Sequence, residues 1–393
     1  MGPNRLLTVL AAGVLLLVAG CSTSGTEVDP VSQAMSATLT EIRVDQGRPW
    51  GVTVPGIAAA AIVTSGSPES LRSEVSGAGD PPGDTPLGAG ARFHIGSITK
   101  TFTAALIMQL DQSGELSLDD PVSRWLEYPG GADVTIAMLL GHTSGLPDFS
   151  DLPGHRRAAT PEESIVLAAT GEPLFAPGTQ WSYSNTNYIM LGLIAEAVTG
   201  ATWEDQIRAR FFEPLSLTDT YVWEGTARPP TVAGSRMRCG EPGEPACVPR
   251  PGFTLVPVTD GFDWTVAWSA GAIVSTPADT ARWLDALLAG DVLDAEHREL
   301  MTTPTPQSVE VLAKLPSFGN VTWSAAGLGM FQYDISGVGT GWGHEGNING
   351  FVANAVHMTE SGQSIVVASN FLQTDAFAAL GDLVAAVDAA AAE

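Results

Sequence analysis

The sequence contains little positive charge. Its 393 residues include 18 lysines and arginines against 43 aspartates and glutamates, a formal net charge of −25. A protein that binds nucleic acid needs a basic surface, so we expect no nucleic-acid partner. Lysine is especially rare, with only Lys100 and Lys314. Hydrophobic residues make up 44% of the chain, which is enough for a folded core and excludes a mostly disordered protein.

Cysteine is also scarce, with three residues. Cys21 follows an apolar run, Leu6–Gly20, that is shorter than the ~18 residues of a membrane-spanning helix. The run ends in Val18-Ala19-Gly20-Cys21, which resembles a bacterial lipobox; an ordinary signal peptide with an incidental cysteine is the alternative. We therefore expect a lipoprotein signal peptide over residues 1–20 and a flexible tether over residues 21–45. The protein would be exported and lipid-anchored at Cys21 to the outer face of the bacterial cytoplasmic membrane.

The other two cysteines, Cys239 and Cys247, flank a turn-rich segment of glycine, proline and glutamate. An exported protein can form a disulfide there. Zinc is the alternative, but two cysteines without a nearby histidine supply too few ligands. We expect a disulfide that closes this local loop, and neither a metal nor a cofactor.

Patterns typical of strands lie at both ends of the chain. The apolar run Ile57–Thr64 predicts a buried strand, and the runs Phe351–His357 and Ser364–Ser369 predict a hairpin. Residues 67–90 are rich in glycine, proline and serine and predict a loop. Helical patterns occupy most of the rest; they cover Ile98–Gln112, a segment that begins at Thr160, Tyr188–Thr199, Thr276–Leu288 and Ala376–Ala392.

This order of elements predicts an α+β fold. Both chain ends would build an antiparallel sheet flanked by helices, and a mainly helical region would be inserted between them. Residues 46–393 would form this domain.

The first candidate functional motif is Ser97-Ile98-Thr99-Lys100, at the start of a predicted helix. Residues three apart on a helix share a face, so the Lys100 amine can reach the Ser97 hydroxyl. A serine becomes a good nucleophile when a neighbour takes its proton, and a helix N-terminus favours a developing negative charge. The alternative is that Ser97 only caps the helix and that Lys100 is exposed.

The second motif is Tyr183-Ser184-Asn185, which precedes a predicted helix. Buried cations beside Tyr183 would favour its phenolate and make it a candidate general base. Asn185 offers both a donor and an acceptor, which suits a place between Lys100 and a substrate amide. The alternative is an amphipathic tyrosine where the chain enters a helix.

The third motif is His344-Glu345-Gly346, within a glycine-rich segment. Glycines allow the backbone to approach a ligand closely, and His344 could hold or relay a proton. The alternative is a glycine-rich turn that carries a surface histidine.

Together, the three motifs resemble those of the serine β-lactamase and penicillin-binding protein superfamily. Their order is similar to the branch that holds the Streptomyces-type D-alanyl-D-alanine carboxypeptidase, class C β-lactamases and related esterases. The resemblance covers about residues 50–370 and implies a β-lactamase/transpeptidase-like fold. Further segments that match family patterns are Leu140–Leu146, Tyr183–Tyr188, Pro214–Thr220 and Ser269–Gly271.

The resemblance implies catalytic roles for four residues. Ser97 would be the acylated nucleophile, and Lys100 would share or relay its proton. Tyr183 would act as base and then as acid toward the leaving group. His344 stands where many relatives carry lysine.

Substrate-binding roles follow from the same resemblance. Asn185 would hold the substrate, and Glu345, Gly346 and Asn347 would lie beside it. The backbone N–H groups of Ser97 and Asn347 would form the oxyanion hole. No metal enters this mechanism.

The sequence departs from the branch at two places. Carboxypeptidases of this branch usually have threonine in the middle of H-x-G and an arginine on the preceding strand, and both help to bind a terminal carboxylate. Here the middle residue is Glu345, and the preceding strand contains Met330–Tyr333, without arginine. Like charges repel, so an ionised Glu345 that faces the substrate would favour neutral or cationic substrates.

Five other histidines receive no catalytic role. His142 lies in a motif that resembles the family's, but we expect it to be a structural turn residue. The other four form no ligand spacing: His94, His155, His297 and His357.

We therefore expect a monomeric serine hydrolase that acts through a Ser97 acyl-enzyme on a small peptide, β-lactam or ester. D-alanyl-D-alanine carboxypeptidase-like or penicillin-binding activity is the main expectation, and an esterase of the same family is the alternative. A ligand-binding envelope lipoprotein without turnover is a further alternative.

Overall fold

The computed structural model describes residues 29–50, 52–64, 66–67, 70–129, 131–155, 160–225, 232–237, 255–258 and 264–392. The α-helices of these ranges are α1 (Pro30–Gly47), α2 (Thr99–Gln112), α3 (Ile136–Leu140), α4 (Pro161–Ala168), α5 (Asn185–Thr199), α6 (Trp203–Ile207), α7 (Trp268–Gly271), α8 (Pro277–Ala289), α9 (Ala295–Met301), α10 (Pro306–Leu312) and α11 (Ala376–Ala391). The strands are β1 (Gly56–Ile62), β2 (Leu71–Gly77), β3 (Phe93–His94), β4 (Tyr221–Val222), β5 (Ser235–Met237), β6 (Leu255–Pro257), β7 (Ile273–Ser275), β8 (Val321–Ala326), β9 (Phe331–Ile335), β10 (Gly339–Ile348), β11 (Phe351–Met358) and β12 (Ser364–Ser369).

The main sheet has seven strands in the order β2-β1-β12-β11-β10-β9-β8. All neighbouring strands in it are antiparallel. β1 and β2 come from the N-terminal part of the chain and the other five from the C-terminal part, with helices α2 to α10 between them. The predicted α+β fold, with a sheet built from both chain ends, is confirmed.

Helices cover the sheet on both faces. From Ile57 to Ile62, the odd-numbered residues of β1 pack with apolar side chains of α1 and α11. The even-numbered residues belong to a cluster that includes apolar side chains of α2 and α8. Every residue of β1 is buried, which explains why this strand is a continuous apolar run in the sequence.

The predicted tether over residues 21–45 is wrong from Pro30 onward, because α1 occupies this segment. Asp29 caps the helix by accepting a hydrogen bond from the Ser32 N–H at 3.0 Å. The apolar residues of α1 recur at helical spacing and form a stripe on one face. The polar residues between them give the segment a polar overall composition, which is typical of a tether. The stripe is buried against α11 and the sheet: Val31, Met35, Leu39 and Ile42. The predicted domain start at residue 46 is therefore also too late.

The predicted loop over residues 67–90 contains a strand. β2 pairs with β1 in antiparallel register and forms the edge of the sheet. Its residues are mostly half-buried, which is typical of an edge strand and leaves only a weak apolar pattern in the sequence.

Three predictions fall on residues outside the described ranges: the signal peptide over residues 1–20, lipidation of Cys21, and the disulfide between Cys239 and Cys247. They stay predictions. Among the helices of the described ranges, none combines the length and apolar character needed to cross a bilayer. Across those ranges, no three His, Cys, Asp or Glu side chains gather into a possible metal site.

Candidate active site

A short 3-10 turn, Gly96–Ile98, places Ser97 at the entrance of α2. Gly96 has a φ of +52°, and a Cβ there would lie 2.9 Å from the backbone nitrogen of Asn347. In the same contact, a Cβ on Gly346 would lie 1.8 Å from the Ile95 carbonyl oxygen. Glycine at both positions therefore allows the turn that carries Ser97 to pack directly against β10.

The Lys100 side chain is fully buried behind Ser97. Its Nζ lies 2.9 Å from Ser97 Oγ, 2.8 Å from Asn185 Oδ1 and 2.7 Å from the Ala270 carbonyl oxygen. The predicted contact between the serine and the lysine is present, and the alternative of an exposed lysine is excluded.

Burial lowers the pKa of Lys100 to about 7, although Asp148 and Glu345 act in the opposite direction. A neutral amine has two N–H donors and one lone pair. The Asn185 and Ala270 oxygens can take the two donors, which leaves the lone pair for the Ser97 hydroxyl proton. The geometry suits an amine that removes this proton.

Asp148 fixes the orientation of the Asn185 amide. The backbone N–H and the side-chain Nδ2 of Asn185 both donate to Asp148 Oδ2, each at 2.9 Å. Asn185 Oδ1 is thereby left to face Lys100. The sequence analysis did not identify Asp148 or the Ala270 carbonyl, because a lone aspartate after a proline indicates only a helix cap, and backbone acceptors leave no sequence signal.

His142 holds the segment that carries Tyr183. Its carbonyl accepts a hydrogen bond from the Ser182 N–H at 3.0 Å, and its Nδ1 accepts one from the Ser184 N–H at 3.1 Å. The imidazole also lies 4.5 Å from the tyrosine ring, centroid to centroid. His142 has a φ of +56°, so the expectation of a structural turn residue agrees with the geometry.

Tyr183 lies beside the Lys100 amine. Its ring centroid is 4.9 Å from Lys100 Nζ. Burial raises the pKa of Tyr183 well above its usual value, and the neighbouring Ser97 side chain opposes this shift only in part. The expected phenolate is therefore disfavoured at neutral pH, because burial favours the uncharged phenol.

His344 is buried on β10. Its Nδ1 donates to the Glu345 carbonyl oxygen at 2.6 Å, so Nε2 carries the free lone pair of the neutral ring. Burial, together with the nearby Lys100, lowers the pKa of His344 to about 3. The histidine is therefore a neutral acceptor where many relatives have a cationic lysine.

Glu345 lies directly opposite Asn354 on β11. Burial raises the pKa of Glu345 to about 7, and Lys100 opposes this shift. The carboxyl group is thus only partly ionised at neutral pH, so repulsion of a substrate carboxylate would be weaker than the sequence suggests.

A cavity of about 480 Å³ opens beside the nucleophile. Its wall includes Ser97, Asn185 and Asn347, three of the residues predicted from the sequence. Glu345 and Gly346 do not line it, although both were predicted to bind substrate; Gly346 is instead packed against the Ile95 carbonyl oxygen.

The sequence match extends over almost the whole domain. The family model described as Beta-lactamase matches residues 49–389. Penicillin-binding protein 4 of Amycolatopsis lactamdurans is 34% identical over 273 residues, which cover 66% of this chain and 66% of that protein. The chain therefore spans just under two thirds of the length of this curated relative.

Solved structures share the fold. The D-stereospecific amidohydrolase of a Streptomyces species superposes with a TM-score of 0.68 at 29% identity, covering 88% of this chain and 95% of that one. The D-amino acid amidase of Ochrobactrum anthropi SV3 superposes with a TM-score of 0.76 at 26% identity, covering 92% of this chain and 98% of that one. The family match, the shared fold and the Ser97–Lys100 pair lead to one conclusion: the chain belongs to the β-lactamase family.

Proposed function

We propose that this protein is a serine hydrolase that forms an acyl-enzyme at Ser97 and hydrolyses amide or ester bonds. The observation that carries the proposal is the hydrogen-bond set of Lys100, a buried amine that contacts the Ser97 hydroxyl and two fixed acceptors. The lowered pKa of about 7 gives this amine a neutral fraction at physiological pH.

In acylation, neutral Lys100 takes the Ser97 proton while Ser97 Oγ attacks the substrate carbonyl carbon. The new C–O bond turns the carbonyl oxygen into an oxyanion, which the N–H groups of Ser97 and Asn347 would stabilise. Loss of one such donor typically raises the barrier by roughly 3–4 kcal/mol.

The leaving group departs with a proton from Tyr183, which keeps its proton at neutral pH because its pKa is raised by burial. Lys100 then returns the proton it took to the tyrosine oxygen. In deacylation, water attacks the acyl carbon and gives its proton to neutral Lys100, and Ser97 leaves with a proton from Tyr183. Lys100 then passes the proton from the water to the tyrosine oxygen, which restores the free enzyme.

An amide or peptide bond beside a D-residue is the substrate class that the relatives support best. Their names include penicillin-binding protein 4, a D-stereospecific amidohydrolase and a D-amino acid amidase. Carboxypeptidase-like or penicillin-binding activity fits this class. Glu345, at a position where the resemblance implies a carboxylate-binding threonine, favours an esterase as the second candidate.

The test uses the purified full-length chain with a D-Ala-D-Ala peptide, a fluorescent penicillin and 4-nitrophenyl acetate. Intact mass should show one covalent adduct per chain, and Ser97→Ala should abolish it and reduce turnover about 10³-fold or more. Lys100→Met should reduce turnover comparably. The exposed Lys314 is the only other lysine, and Lys314→Met is the matched control.

The outcomes separate the candidates. Full turnover of every substrate by Ser97→Ala would exclude the proposal. Turnover of the ester alone would support the esterase and reject carboxypeptidase-like activity. A stable adduct without turnover would instead support a ligand-binding protein.

A further inference from the structure

The cavity beside Ser97 contains an arginine that the mechanism does not use. Arg236 is on β5 and lines the same wall as Ser97, Asn185 and Asn347. None of the described residues that line the cavity is acidic. In a chain with a net charge of −25, a guanidinium would be expected to have an acidic neighbour.

The backbone of β5 holds Arg236 at the end of the main sheet. The Ser235 N–H donates to the Asn370 carbonyl at 2.9 Å and lies 3.3 Å from the Gly350 carbonyl, and the Leu372 N–H donates to the Ser235 carbonyl at 3.0 Å. Ser235 and Met237 are buried, whereas Arg236, between them, is exposed. Because side chains alternate along a strand, anchoring its two neighbours directs Arg236 toward the cavity.

The Arg236 guanidinium makes no hydrogen bond or ion pair with any residue in the described part of the chain. Other arginines there are tied down: Arg43 donates to the Val54 carbonyl at 2.8 Å, and Arg72 pairs with Asp29 at 2.8 Å. A guanidinium without a partner among the described residues offers a planar set of donors that matches a carboxylate.

The cavity lies on one side of the nucleophile. Its wall contains Ser97 and Asn347, which flank the proposed oxyanion position, but neither Tyr183 nor His344. The leaving group departs toward Tyr183, the proposed proton donor. The cavity therefore faces the part of the substrate that stays on Ser97, the acyl portion.

We propose that Arg236 is a specificity-determining residue that binds a carboxylate on the acyl portion of the substrate. The protein would thus prefer acidic acyl donors. This inference rests on the proposed function, since it needs a Ser97 acyl-enzyme. The resemblance to carboxypeptidases implies a carboxylate-binding arginine on the strand before β10, but this strand, β9, has none. Arg236 instead reaches the site from β5, on the acyl side.

His155 adds a second polar group to the same cavity. Its Nδ1 donates to the Leu152 carbonyl at 3.0 Å, so Nε2 is left for a ligand. This nitrogen can form a hydrogen bond with a polar group of the substrate.

The test compares 4-nitrophenyl esters that share one leaving group. The acidic substrates are the mono-4-nitrophenyl esters of adipate and suberate. Their methyl esters are the neutral matches, and 4-nitrophenyl 6-aminohexanoate is the cationic match. The full-length chain should hydrolyse the acidic esters with a kcat/KM about tenfold above the neutral ones. The preference should fall as salt is raised.

Variants of Arg236 isolate its contribution. Arg236→Gln should bring the acidic-to-neutral ratio close to one and leave turnover of the neutral esters unchanged, which also verifies folding. Arg236→Lys should keep part of the preference, and Arg236→Glu should shift it toward the cationic ester. Arg48→Gln, at an exposed arginine with its own surface ion pair, is the matched control.

The result distinguishes the two proposals. Equal Ser97-dependent hydrolysis of acidic and neutral esters, or a preference unchanged in Arg236→Gln, would overturn the role of Arg236 and leave the hydrolase intact. Absence of Ser97-dependent hydrolysis of every ester and of the amide substrates above would overturn both.

Discussion

The site has two walls that differ in how fully their polar groups are bonded. The helical wall is built by α2, α5 and the segment around Asp148. Here the Lys100 amine and both polar atoms of the Asn185 side-chain amide have hydrogen-bond partners. In the strand wall, built by β9, β10 and β11, both amide atoms of Asn354 and the hydroxyl of Tyr333 are buried without a hydrogen-bond partner in the described ranges.

The two walls therefore have different functions. The helical wall holds the groups that transfer the proton, and the strand wall carries a group whose charge changes near neutral pH. A fully bonded helical wall fixes the atoms that move the proton, so little reorganisation is needed when charge develops. The strand wall carries Glu345, whose pKa is raised to about 7 by burial. Its charge therefore changes in the range where Lys100 titrates, and the two groups are coupled.

Asp148→Asn tests the helical wall and should have the largest effect. Both carboxylate oxygens accept hydrogen bonds, Oδ1 from the Ser150 N–H and Oδ2 from the two Asn185 donors. Asparagine has one acceptor oxygen, so one of these sets is lost in either orientation and the Asn185 amide is held less firmly. We expect kcat/KM to fall about 10–100-fold. Because the Asp148 anion raises the pKa of Lys100, the acidic limb of the pH profile should also move to lower pH.

The control for this variant is Asp151→Asn, on the exposed end of the same 3-10 turn, Phe149–Asp151. It should leave the kinetics and the pH profile unchanged. Wild-type kinetics in Asp148→Asn would mean that the orientation of Asn185 does not depend on the carboxylate.

Glu345→Gln tests the strand wall and should have a smaller effect. Activity should rise with pH as Lys100 loses its proton, because its pKa is lowered to about 7 and the neutral amine is the base. Removing the Glu345 anion removes a group that raises this pKa, so the limb should move down by up to about one pH unit. The profile of kcat/KM from pH 5 to 9 measures it.

Glu360→Gln is the matched control, at an exposed glutamate in the turn between β11 and β12. An unchanged profile in Glu345→Gln would uncouple the carboxyl from Lys100. A shift to higher pH would contradict the assigned sign.

Asn354→Leu should have the smallest effect, and on stability. Leucine has a similar size and removes two buried polar atoms that lack partners, so the free energy of unfolding should rise by about 1 kcal/mol. Asn370→Leu is the contrasting case. Its Oδ1 also lacks a partner in the described ranges, but its Nδ2 donates to the Ala78 carbonyl at 3.1 Å, so this variant should destabilise. Urea unfolding measures both. Destabilisation by Asn354→Leu would refute the contrast between the walls.

Local spacing made the helical wall predictable. Ser97 and Lys100 are three residues apart at a helix start, so their contact follows from helix geometry alone. The helical pattern before Gly200 was equally informative, since α5 ends at Thr199 and Gly200 adopts the left-handed conformation. By contrast, α1 was missed because its apolar stripe is diluted by polar residues.

The identity and order of the motifs determined the family, the nucleophile and its lysine. The tertiary structure alone decided the protonation states, because burial governs them: it lowers the pKa of Lys100 and His344 and raises those of Tyr183 and Glu345. It also decided which distant residues meet, such as Asp148 with Asn185 and Arg236 with the Ser97 cavity. Burial and long-range contact depend on how the whole chain packs, and a linear sequence does not specify either one locally.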